Sequence, residues 1–250
     1  NLTDHLNEEE KQNKIRQRLW KVRAKKVILA TGSIERTMVF DCNDRPGIML
    51  SSAVRKYLNH FGVKCGNNVV IFANNDDAYE TAISLHNKGI KIKAIIDIRE
   101  SSDGDLVKKC NDLGLKIFWK HAVVTTKGRK KINKVIVMKL SNNNNSVIGN
   151  AIKIDCDLLC VSGGYTPAVH LFTQSGGKLK FRDEDQVFIP YKYSSDQISI
   201  GSCNGDFELD DLIKNTSKTL KEFLNIEKTD YDNLKIKCPK DREIRNIWLL

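Results

Sequence analysis

The most constraining feature of the sequence is an alternation of apolar runs with amphipathic segments between residues 63 and 120. Three apolar runs of strand length are separated by two segments of helical length, and a glycine follows each of those segments. This alternation predicts a parallel, doubly wound α/β sheet. The predicted strands are 69–72, 92–96 and 116–119, and the predicted helices are 77–88 and 105–113.

The loop after the first of these strands indicates whether the unit binds a nucleotide. A dinucleotide-binding βαβ unit carries G-x-G-x-x-G/A in this loop and an acidic residue about 20 residues further on. Asp97 stands at the acidic position, but Ala73, Asn75 and Ala78 fill the three small positions. Because the Asn75 side chain would project where a pyrophosphate approaches the backbone, the sequence favours a structural role for this unit.

Two distant segments share another pattern, an apolar strand that ends in a turn of small residues. One is Val27–Ala30 followed by Thr31 and Gly32, and the other is Ile198–Ile200 followed by Gly201 and Ser202. Small residues at a strand end let a ligand approach the backbone. Together they predict a nucleotide-binding domain interrupted by an insertion over residues 33–155. The alternating segment 18–23 predicts a strand that forms a hairpin with 27–30.

The remaining segments predict a meander and a short return to the main domain. Residues 122–126, 132–140 and 147–154 predict antiparallel strands, and 157–161 predicts a buried strand that places Cys156 and Cys160 on one face. Pro167 suits the first turn of a helix that carries His170. Short strands are predicted near residues 178, 187 and 198, followed by a helix over 209–224.

Composition excludes several classes of protein. No apolar run reaches the ~18–20 residues of a membrane span, and no signal peptide is evident. The net charge is +10, but the lysines are scattered without interleaved aromatic residues, which disfavours nucleic acid. A general Lys- and Asn-rich composition, or docking to acidic subunits, remains as the explanation. Seven cysteines without a C-x-x-C pair predict reduced thiols in a cytoplasmic protein. No catalytic triad and no metal-ligand spacing is present, so we expect no catalytic residue and no metal site.

Four longer stretches carry a family resemblance. Residues 18–36, 43–50, 70–79 and, most particularly, 162–178 resemble the alpha subunit of heterotetrameric sarcosine oxidase. The resemblance runs from about residue 2 to about residue 225. The chain begins at Asn1 and ends in an apolar run, so we expect a piece of a longer polypeptide.

The resemblance implies an α/β fold of the two-dinucleotide-binding-domain type, as in FAD/NAD(P)-binding, Rossmann-like flavoprotein reductases. The N-terminal strand with its G-x-G-x-x-G turn would precede Asn1. Residues 1–62 and 155–225 would form an FAD-type domain, residues 63–154 an inserted NAD-type domain, and residues 226–250 a linker to a further domain.

The resemblance also implies the reaction and the cofactors. Sarcosine would be oxidatively demethylated to glycine, with transfer of one carbon to tetrahydrofolate and production of hydrogen peroxide. NAD would bind this subunit, FAD would bind the beta subunit, and FMN would bind at the interface between the alpha and beta subunits. Smaller subunits would complete the complex. Tetrahydrofolate would bind a domain beyond Leu250.

The family pattern implies a set of NAD-binding residues. Ser202, Phe207 and Leu209 match positions that line NAD, Gly201 lets the backbone approach, and Thr31 and Gly32 should lie close by. Flavin reductases carry an Asp where this chain has Ser202, which argues against FAD in this domain.

Two alternatives stay open at this point. The chain could belong to a related amine, opine or proline dehydrogenase, since another subunit chooses the substrate. It could also be a non-catalytic scaffold whose nucleotide site is vestigial, as the loop from Ala73 to Ala78 suggests.

Overall fold

The computed structural model describes residues 4–12, 14–193 and 196–227. In chain order the elements are α1 (Glu8–Lys11), β1 (Val27–Leu29), β2 (Ser33–Glu35), β3 (Ile48–Leu50), α2 (Ser51–Phe61), β4 (Asn68–Ala73), α3 (Asp77–Asn87), β5 (Lys91–Asp97), α4 (Asp105–Asp112), β6 (Ile117–Trp119), β7 (His121–Lys127), β8 (Lys134–Leu140), β9 (Val147–Asp155), β10 (Leu158–Ser162), β11 (Tyr165–Pro167), α5 (His170–Gln174), β12 (Lys178–Arg182), β13 (Val187–Lys192), β14 (Gln197–Ser199) and α6 (Leu209–Leu224). In the described ranges, no helix has the length and apolar character that crossing a membrane requires.

A five-stranded parallel sheet is the centre of the molecule. Its strand order is β3-β10-β4-β5-β6, and the predicted βαβαβ alternation is confirmed as β4-α3-β5-α4-β6. Strands β4 and β10 are buried along almost their whole length, which explains their continuous apolar runs. One face of the sheet packs against α2, α3 and α4, and the other packs against the antiparallel meander β7-β8-β9.

The sheet does not stop at the expected borders of the inserted domain. Strand β10 pairs in parallel with both β3 and β4, so residues 48–50 and 158–162 belong to the same sheet as β4–β6. The expected domain borders at 62/63 and 154/155 therefore do not coincide with the borders of this sheet. The sequence could not predict this, because an apolar pattern identifies strands but does not show which strands pair. The assignment of the flanking segments to an FAD-type domain stays a prediction, and the expected linker over 226–250 falls outside the described residues from 228 onward.

The two cysteines expected on one strand lie in different cores. The Asp157 carboxylate accepts hydrogen bonds from the Asn67 and Asn68 amides, which turns the chain between β9 and β10 and leaves Cys156 outside either strand. Cys156 packs between the sheet and the meander, whereas Cys160 packs beneath the helices. Burial raises the pKa of the Cys156 thiol to about 12. The six cysteines in the described part of the chain are free thiols.

Two expectations about the N-terminal strands were wrong. Residues 18–23 form no strand, and Leu19 and Trp20 are exposed, since an alternating segment needs a partner strand and none of the described strands pairs with it. Strand β1 forms as predicted, but the expected hairpin with residues 18–23 does not form, because among the described strands β1 pairs only with β14.

Pro167 lies in a strand, so the expectation that it belongs to the first turn of a helix is wrong. It ends β11, which pairs in antiparallel register with β2, and Pro167 lies opposite Ser33. A proline is tolerated at the end of an edge strand because no ladder hydrogen bond is required of its nitrogen. The helix begins only at His170.

Candidate functional site

The two small-residue turns lie side by side. Strands β1 and β14 pair in parallel with Leu29 opposite Ser199, so both strands end at the same edge. Gly32 and Gly201 follow these ends with φ angles of 75° and 72°. A Cβ atom built on Gly32 would lie 4.0 Å from the Ser202 hydroxyl and would meet nothing closer. The pairing of β1 with β14 therefore brings together residues separated by about 170 positions in the sequence.

The first turn is fixed by two hydrogen bonds with one residue of a neighbouring segment. The Thr31 hydroxyl donates to the Ala168 carbonyl oxygen at 2.6 Å, and the Ala168 amide donates to the Gly32 carbonyl oxygen at 2.9 Å. Ala168 follows the end of β11, so the 162–178 stretch holds this turn in place. The Thr31 hydroxyl thus positions the turn.

The second turn leads directly into the last helix. Residues Gly201–Asn204 form one turn of 3-10 helix, and Gly205 reverses the chain with a φ of 89°. Phe207 follows, with the Arg182 guanidinium 6.0 Å from the centre of its ring, and α6 begins at Leu209. This geometry places the Ser202 hydroxyl, the Phe207 ring and the Leu209 side chain around one space.

That space is a cavity of about 330 Å³. Three of the six expected cofactor residues line it, namely Ser202, Phe207 and Leu209. Thr31, Gly32 and Gly201 are not on its wall, although Ser33, which follows Gly32 directly, is. The residues that complete the wall are Asp77, Glu80, Leu106, Tyr165, Glu208 and Leu212.

An ion-pair network shapes the α3 side of the cavity. The Arg55 guanidinium lies 2.9 Å from the Asp77 carboxylate and 3.3 Å from Glu80. The Tyr165 hydroxyl donates to Asp77 at 2.7 Å. Burial, and then the charge of Asp77, raise the pKa of Tyr165, so its hydroxyl stays protonated at neutral pH. This wall therefore offers carboxylate acceptors, which suit hydroxyl and amide groups better than phosphate.

Sequence reasoning missed this wall. Tyr165 lies within the 162–178 stretch, but the spacing of that stretch does not reveal that its hydroxyl reaches α3. Asp77 and Glu80 are one helical turn apart on α3, and that pattern is equally typical of a solvated helix face.

A buried carboxylate supports the segment that follows Gly32. Glu35, at the end of β2, is only 7% exposed, and it accepts hydrogen bonds from the Ser52 amide at 2.8 Å and from the Ser52 hydroxyl at 2.5 Å. These bonds cap the first turn of α2. Burial is the main reason why the pKa of Glu35 is raised.

The loop after β4 is filled by its own side chains. Asn75 donates to the carbonyl and hydroxyl oxygens of Ser162, and its side-chain oxygen accepts the Ala78 amide at 3.2 Å. Asp97 is fully buried and accepts a hydrogen bond from the Tyr79 hydroxyl at 2.7 Å. These contacts are internal to the βαβ unit, and the structural role that the sequence favours for it stays a prediction.

The remaining residues that the sequence singled out lie away from this cavity. His170 is exposed at the first position of α5 and does not line the cavity. Over residues 4–12, 14–193 and 196–227, no group of three or more histidine, cysteine or acidic side chains could hold a metal ion.

Comparison with known proteins identifies relatives over most of the chain. It is 36% identical over 205 residues to the sarcosine oxidase subunit alpha of Corynebacterium sp. (strain U-96), a match that covers 81% of this chain and 21% of that protein. It is also 36% identical over 173 residues to the sarcosine oxidase subunit alpha of Rhizobium meliloti (strain 1021), covering 69% of this chain and 16% of that protein. The chain thus spans about a fifth of the length of the curated relatives it matches. No family model matches.

Solved structures show the same fold. The thioredoxin reductase of Lactococcus lactis has a TM-score of 0.61 at 15% identity, covering 81% of this chain and 66% of that one. The L-proline dehydrogenase of P. horikoshii has a TM-score of 0.53 at 23% identity, covering 80% of this chain and 35% of that one. The α/β fold of dinucleotide-binding flavoprotein oxidoreductases, expected from the sequence, is therefore confirmed. The chain belongs to the family of sarcosine oxidase alpha subunits and corresponds to one region of those much longer proteins.

Proposed function

We propose that this chain is the NAD-binding region of the alpha subunit of a multi-subunit sarcosine oxidase. The observation that supports this most directly is the parallel pairing of β1 with β14, which sets the Gly32 and Gly201 turns side by side next to the cavity. Dinucleotide-binding folds hold their ligands at the carboxyl ends of parallel strands.

The six expected residues have distinct roles in this proposal. Gly32 and Gly201 let a dinucleotide approach the backbone, because neither residue has a side chain. A Cβ atom on Gly32 would occupy the space beside the Ser202 hydroxyl. The Ser202 hydroxyl hydrogen-bonds the ligand, and Phe207 and Leu209 supply apolar contacts on the cavity wall. Thr31 keeps the first turn in position through its bond to Ala168. Ser202 carries no carboxylate for a flavin ribityl chain, which favours NAD over FAD.

The chemistry of the complete enzyme takes place elsewhere in this proposal. Sarcosine would lose a hydride to FAD in the beta subunit, with FMN at the interface between the alpha and beta subunits. Its one-carbon unit would pass to tetrahydrofolate on a further domain, and oxygen would be reduced to hydrogen peroxide. NAD supplies a nicotinamide ring that can accept a hydride. The residues of this chain bind and orient that dinucleotide.

The test is to produce the full-length alpha chain together with its beta and smaller subunits. We expect sarcosine-dependent hydrogen peroxide and NAD released upon denaturation of the purified complex. Peroxide or dye reduction with proline or an opine, but not with sarcosine, would favour the related dehydrogenases. A complex that oxidises none of these substrates and releases no NAD would favour the scaffold and contradict the proposal.

A further inference from the structure

The crevice at the ends of β4 and β5 is occupied by a buried arginine. The Arg99 side chain follows β5 and is only 1% exposed. Its guanidinium lies 2.7 Å from the Asp76 carboxylate, in the loop after β4, and 2.7 Å from the Asp97 carboxylate at the end of β5. Arg99 therefore bridges the loop after β4, which holds the phosphates in a dinucleotide-binding unit of this topology, and the end of β5, which carries the acidic residue that binds the ribose.

The acidic position of the crevice is already saturated. Asp97 is the residue that would accept hydrogen bonds from a ribose. Here its two oxygens accept from the Arg99 side chain, from the Arg99 amide at 2.9 Å, and from the Tyr79 hydroxyl at 2.7 Å. Burial opposes the Arg99 charge, but hydrogen bonds and charge attraction from Asp97, together with the charge of Asp76, outweigh it and raise the Arg99 pKa. Arg99 is thus a permanent cation in this crevice.

The phosphate side of the crevice is closed as well. The amides at the start of α3 would face a pyrophosphate, but the Ala78 amide donates to Asn75 and the Tyr79 amide donates to the Asp76 carbonyl oxygen at 3.0 Å. Asp76 adds a buried negative charge at this helix start, where it would repel a phosphate.

The segment from Arg99 to Gly104 covers the crevice. The Ser102 hydroxyl donates to the Asp76 carboxylate at 3.0 Å. A Cβ atom on Gly104 would lie 1.9 Å from an Asp76 oxygen, so the backbone of this segment rests directly on that carboxylate. Asp97 is fully buried and Arg99 is only 1% exposed, so a nucleotide would have to displace Arg99 to reach the Asp97 carboxylate.

We propose that the Arg99 side chain occupies the place of a ligand in the crevice at the ends of β4 and β5, which we call the second crevice. This crevice therefore accepts no NAD(H) or NADP(H). The chain would then bind at most one dinucleotide, at the Gly32 and Gly201 turns. The βαβ unit formed by β4, β5 and β6 would then not bind a reduced pyridine nucleotide that donates electrons to the enzyme. This inference concerns the second crevice and holds whether or not NAD binds at the first site.

Equilibrium dialysis of the full-length complex separates the two proposals. After dialysis against NAD⁺ or NADPH at millimolar concentration, we count both the co-purified and the added dinucleotide that denaturation releases, and we expect a total of one per alpha chain with no change in hydrogen exchange at residues 73–79 and 97–104. No bound dinucleotide would contradict the proposed function but support the closed crevice. A second bound dinucleotide, or slower exchange in those two segments, would overturn the closed crevice and leave the first site standing.

Chemical rescue tests whether Arg99 acts as a ligand. Arg99→Ala leaves a space of guanidinium shape between Asp76 and Asp97. We expect guanidinium, well below denaturing concentrations, to restore exchange protection of residues 97–104 in the variant, whereas equal concentrations of sodium or methylammonium do not. Equal effects of guanidinium, sodium and methylammonium would contradict the proposal that the Arg99 guanidinium specifically fills the space between Asp76 and Asp97. If the variant does not fold, the dialysis of the unmodified complex still decides.

Discussion

The molecule contains two strand-end crevices of similar origin and opposite character. At the ends of β1 and β14, glycines with left-handed backbones lie beside an open cavity of about 330 Å³. At the ends of β4 and β5, Asn75, Asp76 and Arg99 fill the space, and each of them is 1% exposed. The comparison shows that the topology creates the place for a ligand, and that the side chains of the turn decide whether it is open.

The largest effect is expected when the filled crevice loses its cation. Arg99→Met would remove the positive partner that the buried Asp76 and Asp97 carboxylates share, and the loss of one member of a buried ion pair typically destabilises a protein by about 3–5 kcal/mol. Hydrogen exchange of the β4 and β5 amides in the full-length chain should accelerate accordingly. Arg129→Met, on an exposed turn, is the control and should change nothing. Unchanged exchange in the Arg99 variant would mean that the network contributes little to the stability of the lobe.

The open crevice can be tested by a matched pair of glycine substitutions. Gly32→Ala and Gly89→Ala each place a side chain at a φ near +70°, and we expect each to cost about 1–2 kcal/mol of stability. Only Gly32 lies beside Ser202, whereas a Cβ on Gly89 meets nothing within 4 Å.

Dinucleotide affinity distinguishes the members of this pair. We expect Gly32→Ala to weaken NAD binding about tenfold or more by calorimetry, which corresponds to about 1.4 kcal/mol, and Gly89→Ala to leave binding unchanged. Equal losses in both variants would show that binding responds to overall stability and not to contact at Gly32.

An effect of similar size on stability is expected where the cavity meets α3. Tyr165→Phe removes the hydroxyl that donates to Asp77 at 2.7 Å, and a hydrogen bond to a charged group contributes about 1.5–3 kcal/mol. Because Arg55 still pairs with Asp77, we expect the lower end of that range in urea unfolding. Tyr191→Phe, at an exposed position on β13, is the matched control. A loss no larger than in that control would show that the bond does not stabilise this wall.

The last prediction concerns the pH dependence of stability. Burial raises the pKa of Glu35 above its ordinary value of 4.5, so the folded chain holds this proton more tightly than the unfolded chain. Stability should therefore fall as the pH rises from 4.5 through the raised pKa, by about 1.4 kcal/mol for each unit of the shift. Glu35→Gln should flatten this part of the profile, while Glu222→Gln, at an exposed site, should preserve it. An unchanged slope in the Glu35 variant would contradict the assignment.

The sequence allowed the doubly wound core to be predicted because its strands are buried on both faces. The runs Val69–Ala73 and Ala94–Ile96 are apolar and buried, and a glycine lies a few residues before each of the two strands. The strand at Ile48–Leu50 was missed because three residues before a helix carry no periodic signal. Strand pairing was equally invisible, since the partners of β10 are encoded about 90 and 110 residues earlier.

The candidate site could be predicted only in part. The glycines after two apolar strands identified Gly32 and Gly201, and the family resemblance supplied Ser202, Phe207 and Leu209. The Tyr165–Asp77–Arg55 wall could not be predicted, because it depends on contacts across three elements. Asn75 suggested from the sequence that the second crevice is closed. The role of Arg99 could be recognised only from its ion pairs with Asp76 and Asp97 in the structure.

The most direct test of the account is the location of bound NAD in a crystal structure of the full-length complex. The account predicts density for one dinucleotide per alpha chain, within hydrogen-bonding distance of the Gly32 backbone and the Ser202 hydroxyl, with Arg99 still between Asp76 and Asp97. A dinucleotide between β4 and β5, with Arg99 displaced, would contradict it.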